Sequence, residues 1–94
     1  MEAGKLYLCE KYFLLLYPDQ ETASGRSATA FEGLGTAVGA ATYWTRKLGK
    51  SVSYTDKNIP LLSLNNKEKY VEVLAGDRKG WIIVEDWLGI KEIQ

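Results

Sequence analysis

The stretch YVEVLAGDRKGWIIVEDWLGIKEI, residues 70–93, decides the fold. Tyr70-Val71-Glu72-Val73-Leu74 alternates with Val71 and Val73 on one side, the two-residue period of a strand. Gly76-Asp77-Arg78-Lys79-Gly80 reads as a tight turn and Trp81-Ile82-Ile83-Val84 as the next strand. Glu85-Asp86-Trp87-Leu88-Gly89 suits a single helical turn, and 90–93 a terminal strand. Upstream, Leu61-Leu62-Ser63-Leu64 is a short apolar run behind Pro60, Asn65-Asn66-Lys67-Glu68 is a turn, and Ser51-Val52-Ser53-Tyr54 alternates. Short strands with a turn signal every few residues point to a small barrel or sandwich.

Residues 60–93 resemble the closing part of Src-homology-3-like barrels, including their bacterial relatives. The resemblance rests on Gly80-Trp81-Ile82 as a Gly-aromatic-Ile element, Trp87-Leu88 as the aromatic-aliphatic pair of a one-turn helix, and Ile90 and Ile93 in the last strand. It implies a mainly β fold, a Src-homology-3-like barrel, and a binding role. Two positions depart from the peptide-binding members of that family. Ile83 stands where they carry the groove proline, and Lys69-Tyr70 where they carry paired aromatics. Recognition of proline-rich peptides is therefore not expected, and fold alone does not carry function.

Towards the N-terminus, KLYLCEKYFLLLY (5–17) reads as strand. Tyr12, Leu14 and Leu16 alternate with Phe13, Leu15 and Tyr17, so both faces are apolar and both are expected to be covered. Glu10-Lys11 marks a bend between two strand pieces. PDQETASGRSA (18–28) has few large apolar side chains and reads as a loop. Thr29-Ala30-Phe31-Glu32 matches a capping box, and Phe31, Leu34, Val38, Ala41, Thr45 and Leu48 recur at helical spacing. Lys47 and Gly49 supply a C-terminal charge and a helix-stopping glycine. The sequence thus predicts one helix over 30–48, inserted between the first and second strands. Gly33, Gly35 and Gly39 each cost a helix about 1 kcal/mol relative to alanine, so its firm part is expected to begin near Thr36.

Composition excludes more chemistry than it suggests. The chain has 94 residues, 12 Lys+Arg against 12 Asp+Glu, no histidine and one cysteine. A single domain over 1–94 is expected, because a chain of this size buries roughly two-thirds of its unfolded surface in one core. Zero net charge disfavours a nucleic-acid or polybasic membrane binder, both of which need an excess of cations. Without histidine there is no imidazole base and no histidine-ligated metal. One thiol permits neither an internal disulfide nor a multi-cysteine zinc site. No secretory signal and no apolar run of about 20 residues are legible, so the expected location is cytoplasmic. No metal and no cofactor is expected.

Several clusters remain as candidates. Gly33 to Gly39 has the look of a phosphate-binding loop, but it does not follow a strand of a parallel βαβ unit, and a small-residue helix face explains it better. Glu85 and Asp86 are adjacent and point apart on a turn, unlike a working carboxylate pair. Cys9, with Lys11 as its nearby cation, reads as a buried thiol. The helix end combines Tyr43, Trp44, Arg46 and Lys47, continued by Lys50. Tyr54, Tyr70, Trp81 and Trp87 form a second aromatic set, expected to line a patch near the hairpin and one-turn helix. With 3 Trp, 6 Tyr and 2 Phe, the aromatics outnumber what one small core absorbs, and surface aromatics mark interfaces. The expected function is a noncatalytic protein-interaction module or accessory subunit, a monomer or weak homo-oligomer with an unidentified protein partner. The rival is a nucleic-acid-binding barrel using Tyr43, Arg46, Lys47, Lys50 and Lys57.

Overall fold

A computed structural model describes residues 1–24 and 36–93. The architecture is mainly β, with strands β1 (Leu6–Leu8), β2 (Leu14–Leu16), β3 (Ser53–Thr55), β4 (Leu61–Lys67), β5 (Tyr70–Ala75), β6 (Arg78–Ile83) and β7 (Lys91–Glu92). Two helices, α1 (Gln20–Ser24) and α2 (Ala37–Leu48), lie between β2 and β3, and a single 3-10 turn, Asp86–Leu88, precedes β7. Five strands form an antiparallel sheet in the order β6-β5-β4-β1-β7, and β2 pairs with β3 in a second, two-stranded sheet. The sheets meet where Tyr17 and Trp81 exchange backbone hydrogen bonds of 2.9 and 2.8 Å. Among the described residues the ladders do not run on into a closed barrel.

The segment 5–17 divides at Glu10-Lys11 as its polarity predicts, and its two halves enter different sheets. Apolar character on both faces of the second half has a direct consequence. Leu14 and Leu16 enter one core with Tyr7, Cys9, Leu61, Val71, Val73, Ile82 and Leu88, while Leu15 and Tyr17 enter another with Ala23, Ala41, Val52 and Ile83. All four residues from Leu14 to Tyr17 are at most 1% exposed. Burial of such a side chain stabilises by about 1.5–3 kcal/mol, so β2 ties two cores together more strongly than any surface contact could.

Three expectations change. The described part of 18–28 is not all loop: Asp19 caps α1 by accepting from the Thr22 amide at 2.6 Å, and Thr22 and Ala23 are buried. An aspartate three residues before a buried small-residue turn is an N-cap signal, hidden by the absence of large apolar residues. Second, the turns are tighter than their composition suggests. Asn65 and Asn66 stay in register with Glu72 and Val71, leaving Glu68 in the left-handed region (φ 58°), and β6 already begins at Arg78. Third, the inward face of α2 is as expected at Ala41, Thr45 and Leu48 but not at its N-terminal end: Ala37 is buried there and Val38 is 54% exposed, while Trp44 packs in beside Ala41 and Leu48. Small residues let the helix axis approach β2 and β3 closely, which a valine row would prevent.

The helix starts directly after Thr36, whose hydroxyl accepts from the Gly39 amide at 3.0 Å, and stops at Gly49 in the left-handed conformation (φ 69°). The proposed capping box Thr29-Ala30-Phe31-Glu32, residues 30–35 of the predicted helix, and Gly33 and Gly35 lie outside the described residues. Gly80 is required by the crossing of β2 over β6. A Cβ placed there would lie 2.5 Å from the Leu16 Cβ and 3.0 Å from Leu16 backbone atoms. Gly80→Ala is therefore expected to destabilise the fold by about 1–3 kcal/mol in urea unfolding, the usual penalty of overpacking. An unchanged midpoint would mean that β2 lifts away from β6 without cost.

Candidate functional site

The second core leaves a groove on its outer side. It has a volume of about 410 Å³ and runs between α2, which contributes Val38, Ala41, Thr42 and Arg46, and β3, which contributes Tyr54, with Arg78 of β6 at one end. Its two walls are joined by Thr45. The Thr45 hydroxyl donates to the Val52 carbonyl at 3.2 Å and accepts from the Val52 amide at 2.9 Å. The helix is thereby held at fixed distance from the chain entering β3.

Arg78 is held in this groove by two contacts to Tyr54. Its Nη1 donates to the Tyr54 carbonyl at 3.1 Å, and its guanidinium carbon sits 4.2 Å from the Tyr54 ring centroid. Stacking on an aromatic face and bonding to a carbonyl restrict a side chain that is otherwise mobile. Arg46 lines the groove from the last turn of α2, where a cation suits the helix dipole. Among the described residues neither arginine pairs with a carboxylate; the ion pairs are Lys5 with Glu2 and Glu92, Lys50 with Asp19, and Lys69 with Glu85. A smaller hollow on the other flank of Arg78 contains Asp56, Asp77 and Ile59.

The residues singled out in the sequence separate into groups. Arg46 and Tyr54 meet in the groove. Tyr43 is 55% exposed and packs edge-on to Trp44, with ring centroids 5.0 Å apart, and it shares a shallow outer hollow with Arg46 and Lys47. Trp44, Tyr70 and Trp81 are half-buried against the second core. Trp87 is 46% exposed and stands apart with Tyr12, edge-on at 5.3 Å, beside the first core. The expected patch of Tyr54, Tyr70, Trp81 and Trp87 is thus split, because the first three pack on the second core while the 3-10 turn buries Leu88 in the first. The sequence places Arg78 in a turn, but it opens β6 opposite Ala75, and β6 lies beside β3, which brings it to Tyr54.

The remaining chemical candidates have structural employment. Cys9 is 3% exposed, and its Sγ lies 3.6 Å from the Leu88 carbonyl, to which it donates. Glu85 pairs with Lys69 at 3.6 Å, and the Asp86 carbonyl accepts from the Gly89 amide. Among the described residues no three carboxylate or thiol side chains come together to hold a metal ion. Among them, too, no helix is long and apolar enough to cross a membrane. Comparison with protein-family models, with curated proteins and with solved structures gave no match.

Lys50, part of the predicted basic cluster, is 3.3 Å from Asp19 Oδ2. The Thr22 hydroxyl and amide, and then Lys50, hold the Asp19 carboxyl below the usual aspartate value. A lowered folded-state pKa means that this stabilisation is present above the unfolded value of about 3.9 and is lost as the pH falls through the folded one. Asp19→Asn should therefore flatten the fall in urea midpoint between about pH 6 and about pH 3. An identical acid slope in the variant would show that Asp19 carries none of it. Cys9 should resist thiol reagents in the native protein and react at the rate of global unfolding. Fast labelling of the folded chain would contradict its burial.

Proposed function

We propose that this chain is a noncatalytic protein-interaction module on a Src-homology-3-like plan, with the groove between α2 and β3 as its binding surface. The fold part of this reading is supported by the β5–β6 hairpin leading to Gly80-Trp81-Ile82, the 3-10 turn carrying Trp87, and the final strand pairing back onto β1. One observation carries the function: the groove combines aliphatic side chains (Val38, Ala41, Val52) and Ser and Thr hydroxyls with Tyr54 and two arginines, Arg46 and Arg78, and among the described residues no carboxylate or thiol lines it. Such a lining supplies affinity and orientation but no group to move a proton at neutral pH. Interfaces are enriched in the same residue types, arginine and tyrosine.

A photo-crosslinking side chain placed at Thr42 tests this against one placed at Glu92, on β7 at the far end of the five-stranded sheet from β6. In cells expressing the intact chain, Thr42 should capture one protein in high yield that Glu92 does not. Equal patterns from both positions, or capture of nucleic acid from Thr42, would overturn the reading.

A further inference from the structure

We infer that the groove recognises an extended peptide segment of the partner by one acidic side chain, clamped between Arg78 and Arg46. This rests on the interaction reading above and names the partner's chemistry. A guanidinium carries five N–H donors. Arg78 uses one of them on the Tyr54 carbonyl and is stacked on the Tyr54 ring, so its remaining donors are fixed in place at the end of the groove. Ordering an arginine normally opposes binding; here Tyr54 has already ordered it. Arg46 lines the same groove from α2, and Val38 and Ala41, which line it too, offer apolar contact to a neighbouring aliphatic residue of the ligand.

Charge selects the occupant. Among the described residues these two guanidinium groups share one groove with no acid lining it and no carboxylate paired to either, which favours an anion. A carboxylate matches a guanidinium in two parallel hydrogen bonds. Nucleic acid fits less well, since its affinity grows from many phosphate contacts, whereas this chain has no net charge and carries Asp56 and Asp77 on the other flank of Arg78. The local field suits one or two acidic groups and repels a long polyanion.

The test uses the full chain and two libraries of short peptides, identical except for a fixed central glutamate or glutamine, read by amide chemical shifts. The glutamate library should shift Ser53, Tyr54 and Arg78, and the glutamine library should not. Arg78→Gln and Arg46→Gln should each weaken the response about tenfold, as expected for loss of a charge-assisted hydrogen bond, with the remaining spectrum unchanged as the check on folding. Tyr54→Phe, which keeps the ring and the carbonyl, should bind as the parent does. Equal responses to the two libraries, shifts centred on Tyr12 and Trp87, or a single-stranded RNA that displaces the glutamate peptides at moderate salt would each overturn the clamp. If Thr42 captures a protein while both libraries respond alike, the interaction reading stands and the acidic clamp falls. If the libraries differ but Thr42 captures nothing, the clamp stands and the cellular role falls.

Discussion

The joining of the two sheets depends on one close crossing, where β2 passes over β6 at Gly80. The missing side chain lets Leu16 approach the β6 backbone, and Tyr17 then exchanges two hydrogen bonds with Trp81. Leu14, Leu15, Leu16 and Tyr17 can only then be buried on both sides. Their burial, at about 1.5–3 kcal/mol for each side chain, outweighs the exposed ion pairs, each of which contributes about 0–1 kcal/mol. In the second layer, β3 is placed by its pairing with β2, α2 packs on β2 and β3, and α1 packs directly on β5 and β6.

That dependence explains the shape of the groove. β3 is placed by its register with β2, in which Leu15 faces Tyr54, and α2 is placed by Ala41 against Leu15 and Tyr17 and by Thr45 against Val52. Arg78 belongs to β6 and reaches Tyr54 because β2 holds β3 beside it. Three segments distant in sequence therefore converge on one groove through a single buried strand. A site built this way is rigid on the side of β3 and β6 and is closed on the other side by a helix with a small-residue face.

Much of the β content was legible in the sequence. Alternation over 70–74, the apolar run of 81–84, the bend at Glu10-Lys11, the double-sided apolar pattern of 12–17 and the glycine stop at Gly49 all have local physical causes, and each corresponds to a feature of the fold. What was not legible depends on partners far along the chain. Val38 looked buried because it is large and correctly spaced, yet close helix packing favoured Ala37 and Ala41. The α1 cap was hidden because a five-residue helix has too little periodicity to register. For the site, Tyr43, Arg46 and Lys47 were visible as a basic-aromatic cluster. Arg78 was not, because a cation beside a glycine turn looks like any solvated turn residue until the hairpin register is known.

The bond between Thr45 and Val52 has a further effect. Just after β2 the amide and carbonyl of Tyr17 face β6, so by the alternation of an antiparallel pair Tyr54, opposite Leu15, and Val52 turn their polar groups away from β2. Those groups form the outer border of the two-stranded sheet, and an unpaired border is a template onto which another chain can add. Thr45 occupies both polar groups of Val52 and Arg78 occupies the carbonyl of Tyr54. The same two side chains that shape the groove thus cover three polar groups of that border, so a chain entering the groove meets side chains there before it meets an open strand edge.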